Sequence, residues 1–292
     1  MTNITMAATF KDFQDRFRRL AETRPDLIKN TLSNIFTMRL IGNKTHGDMA
    51  EIGIAEFVHQ FMDGYDSRHV GKDLFRAKEH EEDILVIVKG TETSIPISLK
   101  AYGDGPLQLS TDKEARLFPE LEAHGADITD PDEIASIFKT PAFEGLFQVN
   151  VLALIYREKA AECNIMVFDF EKMKDQTRRI IYVPENWKFS PKINGLVRFK
   201  GRTHPIYMFL DENGNYICEV RYGDADANAL QRGFWTNTVK AGSCYFNSLT
   251  NGWISYTCNE SLVQLLKLAL NATEKGYEAA NRSLQDDIDL IK

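Results

Sequence analysis

The sequence predicts a mixed fold, α/β or α+β, in which helices flank a central mixed β-sheet. Three observations carry that expectation. Phe10, Phe13, Phe17 and Leu20 recur at helical spacing near the start. Two apolar runs, EDILVIV at 82–88 and TSIPISLKAY at 93–102, are separated by a short polar turn, as in a hairpin. The last third alternates hairpin patterns with a loop-rich aromatic segment and closes on a helical pattern from about 259 to 291.

Residues 8–40 read as amphipathic helices, and a second helical stretch runs from Gly47 to about Met62 until GYDSRHVGKDLF breaks it. Strands are expected at 83–88 and 95–101, followed by a turn in the Gly/Pro-rich AYGDGPLQ. STDKEARLFPELEAH reads as a helix capped by Ser110 or Thr111, with acids in its first turn. A short helix follows at 133–140. The stretch GLFQVNVLALIYREKAAECNIMVFDF mixes helical and strand signals, and strands are expected at 164–170 and 178–183, with hairpins over 205–222. No repeat, linker or low-complexity stretch divides the chain, so one domain over residues 1–292 is expected.

Composition narrows the function. With 43% hydrophobic and 26% charged residues, disorder is excluded over most of the 292 residues. No apolar run reaches the ~20 residues that span a bilayer, and MTNITMAATFKDFQDRF has no signal-peptide pattern. Cys163, Cys218, Cys244 and Cys258 are scattered, as befits reduced thiols, and neither C-x-x-C nor H-E-x-x-H occurs. No base stands at a recognisable spacing from Ser248 or Cys244, and His46 reads as a cap or core residue. A net charge of −7 argues against a passive coat for nucleic acid. It leaves room for an enzyme that gathers acids at a metal and bases along a groove. From Trp187 to Leu210 the chain carries Lys188, Lys192, Arg198, Lys200 and Arg202 and no acid, so phosphate contacts are expected there.

The two central strands carry the chemistry. Asp83 opens the first and Lys100 ends the second, so a hairpin brings carboxylate and ammonium to one edge of the sheet. A hard divalent cation takes carboxylate oxygens, and a nearby lysine can orient an attacking water and offset phosphate charge. This layout resembles the PD-(D/E)XK nuclease superfamily, with one departure. The acid usually found two residues before the lysine is replaced by Ser98. A branch of type II restriction endonucleases, those cutting sites with a CCGG core, resembles this arrangement: it keeps the serine and supplies the acid from the following helix, after a Leu-Gln-Leu stretch. LQLSTDKEARL at 107–117 places Asp112 there, with Glu114 as substitute if the register slips. The same branch resembles NKTHGDMAEIGIAEF at 43–57, which matches Asn43, Lys44, Gly47, Asp48 and Glu51 to its pattern and gives Glu51 a metal or supporting role. Glu56 is a weaker choice. The branch's DNA-reading basic stretch after the lysine is missing, because AYGDGP stands there.

The resemblance implies a restriction-endonuclease-like core at about 40–185 and DNA-recognition elements at about 186–258. It further implies a magnesium-dependent, site-specific hydrolase of double-stranded DNA, with one or two Mg2+ per active site, acting as a homodimer in a prokaryotic cytoplasm. A repair nuclease of the same superfamily, or a non-catalytic DNA-binding protein with such a core, is the alternative. EVRYGDADANALQRGFWTNT at 219–238 holds Arg221, Asn228, Gln231, Arg232 and Asn237, side chains able to address bases in the major groove. The same residues also fit a surface helix, ADANALQRG, with Trp235 in the core.

Overall fold

A proline at residue 25 ends one amphipathic helix and opens the next, because its ring suits the first helical turn and no interior position. The computed structural model describes residues 6–39, 46–70, 82–222, 232–239 and 244–264. In chain order these form α1 (Met6–Thr23), α2 (Pro25–Arg39), α3 (His46–Phe61), β1 (Tyr65–His69), β2 (Ile84–Val88), β3 (Ser94–Gly103) and β4 (Pro106–Ser110). Next come α4 (Leu117–His124), β5 (Asp127–Ile128), α5 (Pro131–Ile137), α6 (Pro141–Glu144), β6 (Asn150–Arg157), β7 (Glu162–Phe168) and α7 (Phe170–Gln176). The remainder is β8 (Arg179–Val183), β9 (Trp187–Ser190), β10 (Gly195–Arg198), β11 (Ile206–Leu210), β12 (Tyr216–Arg221), β13 (Gly233–Asn237), β14 (Phe246–Ser248) and β15 (Ile254–Ser255).

The fold is mixed α and β, but two large sheets form where one central sheet was expected. The chain divides into two compact units, the first from 1–103, 152–166 and 248–292, the second from 104–151 and 167–247.

The first unit holds most of the seven-stranded sheet, ordered β1-β2-β3-β6-β7-β14 with β15 on β7. Buried residues at i, i+4, i+7 and i+8 explain its helices: Ile28, Leu32, Ile35 and Phe36 on α2, then Ala50, Ile54, Phe57 and Val58 on α3. Phe13 meets Tyr65 edge-on at 5.4 Å and Phe17 meets Phe57 at 5.1 Å, so α1 packs through rings. The Tyr65 hydroxyl donates to Asp12 at 2.7 Å, which satisfies the one polar atom in that cluster. Strand β1 falls in GYDSRHVGKDLF, which by sequence alone reads only as a helix breaker. Its alternation of Tyr65, Ser67 and His69 is too short and polar to stand out, and pairing with β2 decides it.

The second unit holds the antiparallel sheet β4-β13-β12-β11-β8-β5. Residues opposite each other across antiparallel strands share a face, so the register sorts the side chains. One face carries Ile180, Tyr207, Phe209, Cys218, Val220, Phe234, Thr236 and Leu107, all buried. Rings from Phe118, Phe138, Phe143 and Phe170 pack onto it. The opposite face changes character halfway across. Over β8 and β11 it is apolar, with Ile181, Val183, Ile206, Met208 and Leu210 under Trp187, Phe189 and Leu196 of the β9–β10 hairpin. Over β12, β13 and β4 it carries Glu219, Arg221, Trp235, Asn237 and Gln108.

Two sequence expectations shift. The turn expected in AYGDGPLQ is confined to the residues between β3 and β4, because pairing with β13 extends 106–110 into a strand. The helix expected from Ser110 begins only at Leu117, since Ser110 is held in β4. Gly233 is required where β13 meets β4. Its φ is +117°, and a Cβ there would lie 2.2 Å from the Ser110 carbonyl oxygen and 2.8 Å from the Asp112 nitrogen. Gly233→Ala is therefore expected to cost more than the roughly 1–3 kcal/mol of backbone strain alone. Urea denaturation beside Gly252→Ala, whose φ is +74° with open space around it, isolates the clash as the difference between the two losses.

Candidate active site

Asp83 precedes β2 at the point where the β2–β3 ladder ends, and hydrogen bonds fasten both its backbone and its carboxylate. Its amide donates to the Ile97 carbonyl at 2.9 Å and its carbonyl accepts from the Val70 amide at 2.9 Å. Its carboxylate Oδ2 accepts from the Leu99 amide at 2.8 Å and from the Ser98 hydroxyl at 3.1 Å. The side chain thus satisfies a strand amide that would otherwise be orphaned. Ser98 is 2% exposed, so its hydroxyl serves inside the protein as a donor to the acid. Lys100 follows two residues later in β3, on the same side of the strand as Ser98 and ~7 Å further along it.

Glu51 comes from α3, one helical turn before Ala55 in the stripe that packs on the sheet, and its side chain is largely buried. Its carboxylate meets His69 Nε2 of β1 at 2.9 Å. Burial holds the Glu51 carboxyl above the ordinary carboxylate range; the His69 contact works against this, and the charges of Asp83 and Asp48 add to it. Glu51 is therefore close enough to Asp83 and to Asp48 to feel the charge of each. His69 was missed by the sequence reading. Its signal was the alternation Tyr65-Ser67-His69, legible only once β1 is recognised.

Among the described residues, no group of three or more His, Cys, Asp or Glu side chains stands ready to hold a metal ion. A magnesium ion keeps much of its water and asks for only one or two protein carboxylates. Glu51 feels the charge of Asp83, so these two carboxylates are the candidates for such a pair.

Asp112 lies in the second unit and has a structural occupation there. Its carboxylate accepts from the amides of Arg116 at 3.0 Å and Leu117 at 2.9 Å, which caps the first turn of α4 from the preceding loop. Glu114 is ion-paired with Arg116 and exposed. Lys188, Lys192, Arg198 and Lys200 are exposed on or beside the β9–β10 hairpin, with Lys188 over Phe199 at 5.0 Å and Arg198 over Trp187 at 4.5 Å. Arg202 differs: it is half-buried, donates to the Trp187 carbonyl at 3.2 Å, and burial lowers its proton affinity. Arg221 and Asn237 are on β12 and β13, and Arg232 stands just before β13, its carbonyl accepting from Gln108 at 2.8 Å. Asn43, Lys44, Asn228 and Gln231 lie outside the described residues.

Comparison of the chain with models of protein families, with curated proteins and with solved structures finds no match in any of the three.

Two measurements probe the acids. Asp112→Ala should lower stability by about 1 kcal/mol with or without magnesium, as loss of a helix cap does. A loss that appears only in the presence of the metal would make it a metal ligand before a cap. Glu51 binds its proton more tightly in the folded chain than in the unfolded one, so its stabilising contribution is complete below the unfolded carboxyl pKa and is lost as pH rises through the folded value. At neutral pH its ionised form is a cost. In chelator-treated protein, Glu51→Gln should melt above wild type at neutral pH, and the gap should close as pH falls into the carboxyl range. A variant that melts lower at every pH would show that the His69 bond outweighs burial.

Proposed function

We propose that the protein is a magnesium-dependent endonuclease that hydrolyses phosphodiesters of double-stranded DNA at specific sites, a type II restriction endonuclease of the PD-(D/E)XK kind. The single observation that carries this reading is the Asp83 carboxylate bonded to Ser98 and Leu99, with Lys100 next on that side of β3 and Glu51 of α3 close by. Asp83 and Glu51 would hold the magnesium. Bound there, it supplies a Lewis acid and a water of lowered pKa. Ser98 orients Asp83 by donating to Oδ2, which answers why a serine can occupy the position two before the lysine. His69 steadies Glu51. Lys100 offers an ammonium that orients the attacking water and offsets charge growing on the phosphate oxygens.

The exposed bases on the β9–β10 hairpin suit backbone phosphates, which position a duplex without reading it. Arg232 and Asn237 are the described members of the 219–238 stretch left for reading bases. A twofold dimer on a palindromic site is the expected assembly, since each protomer then meets one strand.

Lys100→Ala is expected to slow cleavage of a fully sequenced plasmid in magnesium by roughly 10²–10³-fold or more, the usual effect of removing a group that meets developing charge. Binding to the same DNA in calcium should be retained. Cleavage near the wild-type rate would remove the active site from this hairpin.

A further inference from the structure

The polar half of the second unit's sheet is the floor of a pocket of about 380 Å³, walled by the loop 199–204 and by residues of β12 and β13. Its floor holds Glu219, 5% exposed, a carboxylate that burial makes costly unless it is paired. The pairing is with Arg221, whose Nε donates to Glu219 Oε1 at 2.5 Å while its guanidinium lies 4.0 Å from the centre of the Trp235 ring. From the loop, Arg202 reaches the same pocket with its Nε donating to the Trp187 carbonyl. Both arginines thus spend Nε on the protein, and among the described residues no hydrogen bond occupies their terminal nitrogens. Trp235 adds a buried Nε1–H that has no acceptor among the described residues. Two guanidinium forks anchored through Nε, lining one pocket, are set for an oxyanion.

We propose that this pocket is a binding site for a phosphate group, held between the terminal guanidinium nitrogens of Arg202 and Arg221. Glu219 is the positioning residue: it fixes Arg221 in place and on Trp235, so that little order is lost when the anion arrives. The phosphate comes from one of two sources, a phosphodiester of DNA or the phosphate of a free nucleotide, whose base the volume also admits. The exposed bases of the neighbouring hairpin would gather either. The inference stands on the second unit alone and does not depend on the hydrolytic reading of the first.

The test follows the three tryptophan indole N–H resonances of the full chain, assigned with Trp235→Phe and Trp253→Phe, during titration with inorganic phosphate. The expected result is a saturable shift of the Trp235 signal while Trp253, in the other unit, stays still. Arg202→Lys and Arg221→Lys keep the charge but lose the fork, and each should weaken binding roughly tenfold or more. An unmoved Trp253 signal in both variants reports that they are folded. A short duplex and a 5′-mononucleotide are then added separately. A shift with the duplex assigns the diester, and one with the mononucleotide alone assigns the free nucleotide while counting against DNA contact by this unit. A linear response, a Trp253 shift in step with Trp235, lysine variants that bind like wild type, or silence toward both nucleotide probes overturns the proposal.

Discussion

The bond from the Leu99 amide to the Asp83 carboxylate is the constraint from which the rest of the first unit's site follows. A strand amide cannot be buried without an acceptor, and here a side chain takes the place of the neighbouring strand's carbonyl. That substitution ends the β2–β3 ladder and fixes an acid at its mouth. It also sets the distance to Lys100, because the spacing along a strand is invariant. Ser98 completes the clamp from the adjacent position. An acid held by two donors of one strand keeps its place whether or not anything binds it.

Glu51 shows what that placement costs. Helix α3 must lay its apolar stripe on the sheet, and the stripe carries Glu51 into partial burial near Asp83 and Asp48. A stability-driven sequence would have an apolar residue there. The carboxylate is kept, with His69 as its partner, at the expense of a raised proton affinity. Local conflict of this kind between burial and charge is where function is to be sought.

The second unit handles charge differently. Its sheet buries one face among phenylalanine rings. The other face is split between an apolar patch under the β9–β10 hairpin and a polar half organised by Glu219. Arg202 belongs by sequence to the exposed basic stretch, but the loop that carries it turns inward and it becomes half-buried.

The sequence by itself determined the helices α1 to α3 and the β2–β3 hairpin. All of these rest on local periodicity and on short separations along the chain. It also determined the mixed class, because helical and alternating patterns both recur. Only the tertiary structure decided that two sheets form, that 65–69 and 106–110 are strands, and that His69 meets Glu51. Those outcomes depend on pairings between residues far apart in the chain, and strands of five residues are too short for their alternation to stand out. It likewise decided that Asp112 caps α4 from outside the helix and that Arg202 and Arg221 share a pocket. A side chain's partner is fixed by where the backbone turns, and the turns between 104 and 116 and between 199 and 204 are set by the sheet they join.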